Sequence, residues 1–418
     1  MTARAHGLGG ITMIVRRSLR QHALSTFVTV ASAALASGLV MAVFAVSAQS
    51  RAAFEGGRIG YDAVLGARGS QLQLVLNAIY HLETSPGNIP WATYIELKED
   101  ERVERAVPYA VGDSWRGYRV VGTTEDLFAD HAPQPGGRFF DPGRREAVLG
   151  AAVARETGLK VGASVHPDHG LLGDGALQHE EEYVVVGVLE PTNTPSDRVL
   201  WIPIEGVFRM GGHVLRGAGE TFTAVPGEAI PDEHKEVSAV LLKFRGGQRT
   251  GMFFNQKFNL EGKEATLAWP IAKSMAELFD KLGWVNRILE LVAYLVVAVA
   301  AGSILASIYN TMNERRREFA ILRALGARRR TVFSAIVIES GTIAFLGCLV
   351  GFFVYGVIMT ATAVIVKERT GVVIEVLAWH EALYWTPLGA VGLGAVAGLM
   401  PAFKAYATDV ASNLLPVS

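Results

Sequence analysis

Residues 26–48 read TFVTVASAALASGLVMAVFAVSA, an apolar run that contains no charged side chain. A helix of about 20 apolar residues can cross the hydrocarbon core of a bilayer, where every backbone polar group must be satisfied within the segment. Three further runs meet this requirement, at residues 288–309, 332–366 and 386–405. The third run is longer than a span needs, so we expect its helix to end before Val366. The sequence therefore predicts four transmembrane helices.

The end of the first run, Val46-Ser47-Ala48, has the small residues of a signal-peptide cleavage site. The apolar core of a signal peptide is about 7 to 15 residues long, and this run is much longer. We therefore interpret the first run as a membrane anchor that stays in the protein.

The distribution of arginine predicts which loops face the cytoplasm, because Lys and Arg accumulate in short cytoplasmic loops. Residues 1–24 contain four arginines and no acidic residue, and residues 311–330 contain seven arginines and two glutamates. The loop 367–385 contains two basic and three acidic residues. We therefore expect a multi-pass protein of the inner (plasma) membrane with both termini in the cytoplasm.

These rules divide the chain into segments around one large extracytoplasmic domain. The predicted order is a cytoplasmic amphipathic helix (1–24), the first span (25–48), the outer domain (49–286), the second span (287–310), a cytoplasmic loop (311–330), the third span (331–366), a short outer loop (367–385), the fourth span (386–407) and a cytoplasmic tail (408–418). In the first segment, Ile11, Ile14, Val15 and Leu19 fall on one helix face opposite Arg16, Arg17 and Arg20. A charged flank that fixes topology is an equal and compatible interpretation.

Composition agrees with a mixed membrane and soluble architecture. Half of the 418 residues are apolar, only 19% are charged, and the mean hydropathy is +0.27. The net charge of −1 provides no basic field for nucleic acid, so we exclude nucleic acid as a partner. Cys348 is the single cysteine, so one chain cannot form an internal disulfide or a cysteine zinc site.

The outer domain is predicted to be α+β, inserted between the first and second spans of a membrane α-helical protein. Its strand candidates are rich in Val, Ile, Leu or Tyr and are bounded by Gly, Pro or Asp. Predicted helices cover residues 71–82 and 90–105, and predicted strands cover 118–121, 147–149, 183–189, 199–204 and 237–244.

Motifs for catalysis are absent from the sequence. We find no G-x-S-x-G, H-E-x-x-H or paired-cysteine motif and no G-x-x-x-x-G-K-[ST] phosphate loop. We therefore expect no catalytic residue, no directly bound cofactor and no ATP hydrolysis by this chain.

A polar loop before the strand at 183–189 is the one candidate metal site. Imidazole and carboxylate groups suit zinc, and a loop can fold three such ligands around one ion. The alternative is a solvated loop, which we favour because the histidine spacing matches no fixed ligand template. The candidate zinc ligands are His166, His169 and His179, within a set that also contains Asp168, Asp174 and Glu180 to Glu182.

The longest specific motif follows the second span, where residues 313–327 read NERRREFAILRALGA. It resembles the segment E-R-R-R-E-x-A-I-L-R-A-L-G-A of FtsX, MacB and the LolC/LolE lipoprotein-release permeases. The outer domain adds GGRFF at 136–140, REAVLG at 145–150, GLKVG at 158–162 and YVVVGVL at 183–189, which resemble the MacB-like periplasmic core domain. The resemblance continues at Glu339-Ser340, Gly347 and Pro401-Ala402 and departs at Phe319, where smaller or branched residues are more usual.

Without the resemblance, the residues of this segment predict that the second span continues as a helix until Gly326, which supplies the left-handed conformation that stops it. A short helix then projects Phe319, Leu322 and Leu325 beside a ring of arginines, a shape that suits a groove on a partner protein. The alternative is a basic loop on anionic lipid. The resemblance implies that this segment docks on a separate ATPase through Glu314, Arg315, Arg316, Arg317, Glu318, Phe319, Leu322, Arg323, Leu325 and Gly326.

The predicted membrane interior offers no polar path for a hydrophilic solute. Only Glu339 is clearly ionisable at depth, and we favour a structural role, satisfied by a neighbouring helix, over a proton relay. Small residues at helix-packing spacing permit close approach of helices, either within one chain or between two. These residues are Gly347, Gly351, Gly394 and Gly398.

The resemblance implies an ABC permease that couples ATP hydrolysis by a separate subunit to movement of the outer domain. ATP and magnesium would then bind to the cytoplasmic ATPase subunit. Implied partners are that ATPase, a second permease copy in a homodimer, a periplasmic protein and membrane lipid. Expected cargo is lipidic, a lipoprotein or a peptide. The alternatives are an FtsX-like regulator that transports nothing and a metal-handling assembly.

Overall fold

The computed structural model describes residues 2–55, 60–170, 178–210, 222–225 and 228–407. Within these residues the chain forms two compact units. The helical unit comprises the described parts of residues 1–49, 282–363 and 375–418. The sheet unit comprises the described parts of residues 50–281 together with residues 364–374.

Helices and strands are numbered in chain order. The helices are α1 Thr2–Gln21, α2 Ala23–Glu55, α3 Gln71–Ala78, α4 Trp91–Glu99, α5 Ala151–Thr157, α6 Ile204–Phe208, α7 Gln248–Asn255, α8 Ile271–Lys281, α9 Gly283–Glu314, α10 Arg316–Ala324, α11 Arg329–Thr370 and α12 Ala382–Ala407. The strands are β1 Ala63–Ala67, β2 Ile89–Pro90, β3 Val103–Trp115, β4 Tyr118–Thr123, β5 Glu146–Leu149, β6 Ser164–Val165, β7 Asp168–His169, β8 Tyr183–Val188, β9 Val199–Pro203, β10 Glu236–Val237, β11 Ala239–Phe244 and β12 Ala265–Ala268.

Four helices of the described chain are long and apolar enough to cross a membrane. They correspond to the four predicted runs, and the sheet unit lies between the first and second of them along the chain. The predicted fold class is therefore confirmed. The candidate spans are Ala23–Ala52, Gly283–Glu314, Arg329–Thr370 and Ala382–Lys404.

Helix α11 is longer than the sequence predicted. With 42 residues and a rise of 1.5 Å per residue, it is about 63 Å long, roughly twice the thickness of a bilayer core. The expectation that it ends before Val366 is wrong, because the charged residues after the apolar run continue the helix. The end comes at Gly371, whose φ is +75° and whose N–H donates to the Lys367 carbonyl at 2.9 Å.

Glycines bring α11 close to α2 within the helical unit. A Cβ atom added to Gly347 would overlap the side chain of Ala33, and one added to Gly351 would overlap Ser37. The two predicted packing glycines of α11 therefore lie at a contact inside one chain. Backbones that approach this closely gain dispersion contacts that a larger side chain would prevent.

Two glycines of α12 perform the same function against α11. A Cβ atom at Gly394 would lie 2.6 Å from the Cβ of Ala344, and one at Gly398 would overlap Ser340. All four predicted packing glycines thus lie between helices of the same chain.

The N-terminal helix α1 is two-sided. Val15 and Ser18 are buried, whereas Arg16, Arg17 and Arg20 are exposed. The apolar side of this helix packs within the helical unit, and its arginines remain free to meet solvent or lipid headgroups.

The sheet unit is built on one mixed sheet. Its strands follow the order β12-β1-β11-β3-β4-β9-β5-β8-β6, with β7 paired to β3 beside that path. Strands β4 and β9 are parallel, as are β5 and β8. Hydrophobic clusters cover both faces: along β9, Leu200 and Ile202 belong to one cluster, and Val199 and Trp201 to the other. Burial on both faces explains why the central strands read as continuous apolar runs.

The structure corrects several predicted elements of this unit. The helix predicted at 90–105 ends at Glu99, because Asp100 accepts a hydrogen bond from the Arg102 N–H at 2.9 Å and turns the chain into β3. The helix predicted at 71–82 ends at Ala78. The strand predicted at 237–244 is divided at Ser238 into β10 and β11. Strands β1, β3 and β12 were not predicted.

The close contact between α2 and α11 generates a stability prediction. We expect Gly351→Val to destabilise the protein by about 1–3 kcal/mol, the usual cost of forcing extra atoms into a packed interface. The matched control is Gly356→Val in the same helix, because a Cβ there meets no atom within 4 Å. Thermal unfolding of both variants in detergent measures the difference. Equal unfolding temperatures for the two variants would contradict this account of the contact.

Candidate functional site

The candidate site is the corner where α9, α10 and the start of α11 meet. Helix α9 ends at Glu314, and Arg315 turns the chain with φ −96° and ψ 8°. The predicted uninterrupted helix to Gly326 is therefore wrong, because the chain bends at Arg315. Gly326, with φ +97°, does supply the predicted stop. The Ala327 N–H donates to the Leu322 carbonyl at 3.0 Å, which closes the end of α10.

Arg315 turns inward and pairs with Glu339 of α11, and both side chains are buried. The Nη1 atom of Arg315 lies 3.5 Å from Glu339 Oε2 and donates to Ser18 Oγ of α1 at 2.5 Å. The Ser18 hydroxyl in turn donates to Glu339 Oε1. The Nε atom of Arg315 also lies 3.1 Å from Glu318 Oε2. This polar cluster of Arg315, Glu339, Ser18 and Glu318 joins three parts of the helical unit.

Forming this cluster changes the folding free energy little, whereas removing one of its members can cost much more. Burial of two charges costs several kcal/mol, which their mutual attraction and added hydrogen bonds offset. Removal of Arg315 would leave the Glu339 charge buried and unpaired, at a cost of about 3–5 kcal/mol, whereas removal of Glu339 would leave Arg315 paired with Glu318. Glu339 is thus held by groups from α1 and from the α9–α10 corner.

Phe319 lies on the inner side of α10. The Arg315 guanidinium carbon lies 4.9 Å from the centre of its ring, and the side chain packs in a cluster with Met312 and Ile336. Leu322 packs against the same cluster. The prediction that Phe319 projects outward is therefore wrong, because burying its ring against apolar helices is more favourable than exposing the ring to solvent.

The outer side of α10 presents a different apolar pair. Leu325 is 81% exposed and Ile321 is 44% exposed. They are four residues apart, so they lie on one face of the helix, with the exposed Arg317 and Arg328 at its two ends. We call these four residues the docking stripe. The sequence interpretation missed Ile321, although its spacing from Leu325 could have identified it.

The remaining predicted residues of this segment surround the corner. Glu314 is exposed and lies 3.3 Å from Nδ1 of His22. Arg323 is partly buried, and Gly326 is exposed. Arg316 begins α10, and its side chain lies outside the described part of the structure.

In the sheet unit, the structure brings two of the three candidate zinc ligands together. His169 and His179 lie beside Asp113 of β3, and one possible ligand atom from each residue lies within 4.8 Å of the others. His166 is not part of this group, and Asp174 lies outside the described residues. Asp113 was not predicted, because it is distant in sequence from the polar loop.

A small cavity in the sheet unit has a volume of about 150 Å³, and its lining includes His81, His131 and Trp201. Burial, with a contribution from Arg119, lowers the pKa of His81 to about 3. Burial also lowers the pKa of His131. Both imidazoles are therefore neutral near pH 7, which is typical of histidines that pack in a core.

The chain matches two protein families in the regions where the two units occur. Residues 26–247 match the MacB-like periplasmic core domain, and residues 290–410 match the FtsX-like permease C-terminal region. The first match covers more than half of the chain.

Individual relatives agree with these families. An uncharacterized ABC transporter permease of Methanocaldococcus jannaschii is 26% identical over 241 residues, which cover 55% of this chain and 54% of that protein. The lipoprotein-releasing system transmembrane protein LolC of Neisseria meningitidis serogroup B is 22% identical over 223 residues, or 52% of this chain and 49% of LolC.

A third relative is the macrolide export ATP-binding/permease protein MacB of Nitrobacter winogradskyi, which is 28% identical over 144 residues, or 34% of this chain and 21% of MacB. The chain thus spans about half the length of the first two relatives. It has four apolar helices and an α+β unit inserted along the chain between the first and second of them, and it belongs to the ABC transporter permeases that carry a MacB-like periplasmic core domain and an FtsX-like C-terminal region.

Proposed function

We propose that this chain couples ATP hydrolysis by a separate cytoplasmic ATPase to movement of its sheet unit outside the membrane. The observation that carries the proposal is the docking stripe: Leu325 and Ile321 are exposed on α10 while the Arg315–Glu339 pair holds the base of that helix. An exposed apolar pair flanked by arginines suits a groove with an acidic rim on a partner protein.

Three considerations support coupling to a cytoplasmic ATPase. The sequence contains no loop with the phosphate-binding motif of an ATPase. A relative, MacB of Nitrobacter winogradskyi, is described as an ATP-binding/permease protein, so ATP binding and permease functions occur together in that protein. The arginine distribution favours a cytoplasmic position for the docking stripe, where ATP is available.

The proposed cargo is a lipid-bearing molecule such as a lipoprotein. The relative LolC is described as part of a lipoprotein-releasing system. In the helical unit the buried Glu339 is occupied by Arg315 and Ser18, so it is not free to line a path for a hydrophilic solute. Work would then be done by the sheet unit on cargo at the outer surface, with a second permease copy completing the assembly.

Topology is the first test of this proposal. Alkaline phosphatase fused after Gly150 should be active, because this enzyme folds only outside the cytoplasm and the arginine rule puts the sheet unit there. A fusion after Gly326 should be inactive and serves as the matched control. An inactive fusion at Gly150 or an active fusion at Gly326 would contradict the proposed orientation.

The docking stripe is tested by Leu325→Asp. In the proposed complex Leu325 would be buried against the ATPase. A charge at this position should weaken binding of the ATPase by about 2 kcal/mol or more, which is roughly a 30-fold loss of affinity. The measurement is co-purification of the ABC ATPase encoded beside this protein, together with ATP turnover in nanodiscs.

The matched control is Leu377→Asp, because Leu377 is 92% exposed and lies in the predicted outer loop. Membrane insertion should survive both changes, since neither alters the arginines that set topology. Equal recovery of the ATPase and equal turnover in the two variants would remove the coupling role from the docking stripe.

A further inference from the structure

We propose that Asp113, His169 and His179 bind one divalent transition-metal ion in the sheet unit, with zinc as the preferred occupant. Each residue offers one ligand atom, and these atoms all lie within 4.8 Å of one another. One carboxylate and two imidazoles are a ligand set typical of zinc sites that keep a fourth position open.

Strand pairing explains why Asp113 meets His169. The two residues are directly opposite each other in the antiparallel pair of β3 and β7. Side chains at such positions lie on the same face of the sheet, with Cβ atoms about 5 Å apart. The register of β3 shifts between Val111 and Asp113, and a β-bulge of this kind redirects the side chain that follows it.

The backbone also anchors the loop that carries His169. The Gly170 N–H donates to the Gly112 carbonyl at 3.1 Å, and the Ser114 hydroxyl donates to the Gly170 carbonyl at 2.7 Å. Gly170, the residue after His169, thus hydrogen-bonds to both neighbours of Asp113 and fixes the position of the Asp113–His169 pair.

His179 arrives from the next segment of the chain. Its N–H donates to the Pro167 carbonyl at 2.9 Å, and Gln178 forms a bridge with Asp168. This pairing brings the ring of His179 beside that of His169, with centroids 5.3 Å apart. All three candidate ligands are thus held by main-chain hydrogen bonds, which preorganises the site.

The distances suit a tetrahedral ion after small movements of the side chains. Nε2 of His179 lies 3.0 Å from Oδ1 of Asp113, and Nδ1 of His169 lies 3.7 Å from the same oxygen. Ligand atoms about 2.1 Å from a tetrahedral zinc ion are separated by roughly 3.4 Å. The two observed distances lie on either side of this value.

Burial and charge favour a cation at this position. The side chain of Asp113 is only 2% exposed and that of His179 is 6% exposed, whereas His169 is 45% exposed. A dication beside a buried carboxylate offsets the cost of burying that charge. The exposed side at His169 gives the ion an entry path and leaves its fourth position to water. Two imidazoles favour zinc over calcium or magnesium, which prefer oxygen ligands.

The test is zinc binding by the full-length protein in detergent after treatment with EDTA. After zinc is added back, we expect one zinc ion per chain by elemental analysis. His169→Gln should weaken zinc binding by more than about 100-fold, the upper limit for loss of a group that merely supports a ligand. Because His169 is partly exposed, this variant should fold, and Asp113→Asn should give the same loss.

The matched control is His166→Gln, which changes a histidine of the same loop that lies outside the group. It should bind zinc with unchanged affinity. Zinc should raise the unfolding temperature of the wild type and of His166→Gln, and should leave that of His169→Gln unchanged. Leu325→Asp should bind zinc normally, so a failure of coupling is distinguishable from a failure of the metal site. Absence of zinc in the wild type, or equal losses in His166→Gln and His169→Gln, would overturn the proposal and leave a hydrogen-bonded Asp113–His179 pair.

Discussion

The buried ion pair between Arg315 and Glu339 is the constraint on which the candidate coupling site depends. The Glu339 charge is not stable alone at this position, so the helix corner and α11 must remain together. The hydroxyl of Ser18 extends the requirement to α1, since it accepts from Arg315 and donates to Glu339. The bend at Arg315 then determines the orientation of α10, with Phe319 inside and Leu325 outside.

Close packing transmits this constraint through the helical unit. Gly347 and Gly351 permit contact of α11 with α2, and Gly394 permits contact with α12. Helix α11 is continuous from Arg329 to Thr370, and its last residues belong to the sheet unit. Packed helices move as rigid bodies rather than deform, so the ion pair holds the base of α10 against the packed part of α11.

Features that depend on local composition were predicted correctly from the sequence. Features that depend on contacts between residues far apart in the sequence were not. Length and hydropathy were sufficient for the four spans, because the bilayer imposes a fixed requirement on any spanning helix. By contrast, Arg315 looks like any other arginine of a basic loop, and only its contact with Glu339 distinguishes it. Strand β3 was missed because its charged residues and Pro108 interrupt the apolar pattern of a strand that is buried over most of its length. The partnership of Asp113 with two histidines likewise depends on strand register, which a single sequence does not reveal.

A double-mutant cycle on the free energy of unfolding in detergent tests the role of the Arg315–Glu339 pair most directly. The variants are Arg315→Met, Glu339→Leu and the double variant, which replace charged side chains by apolar ones of similar size. Arg315→Met should lose about 3–5 kcal/mol, because the Glu339 charge remains buried and unpaired, and Glu339→Leu should lose less, because Arg315 keeps Glu318 as a partner. The double variant should lose far less than the sum, with an interaction energy of about 2 kcal/mol or more. A loss in the double variant that equals the sum of the two single losses to within about 0.5 kcal/mol would contradict the account, because the two residues would then act independently.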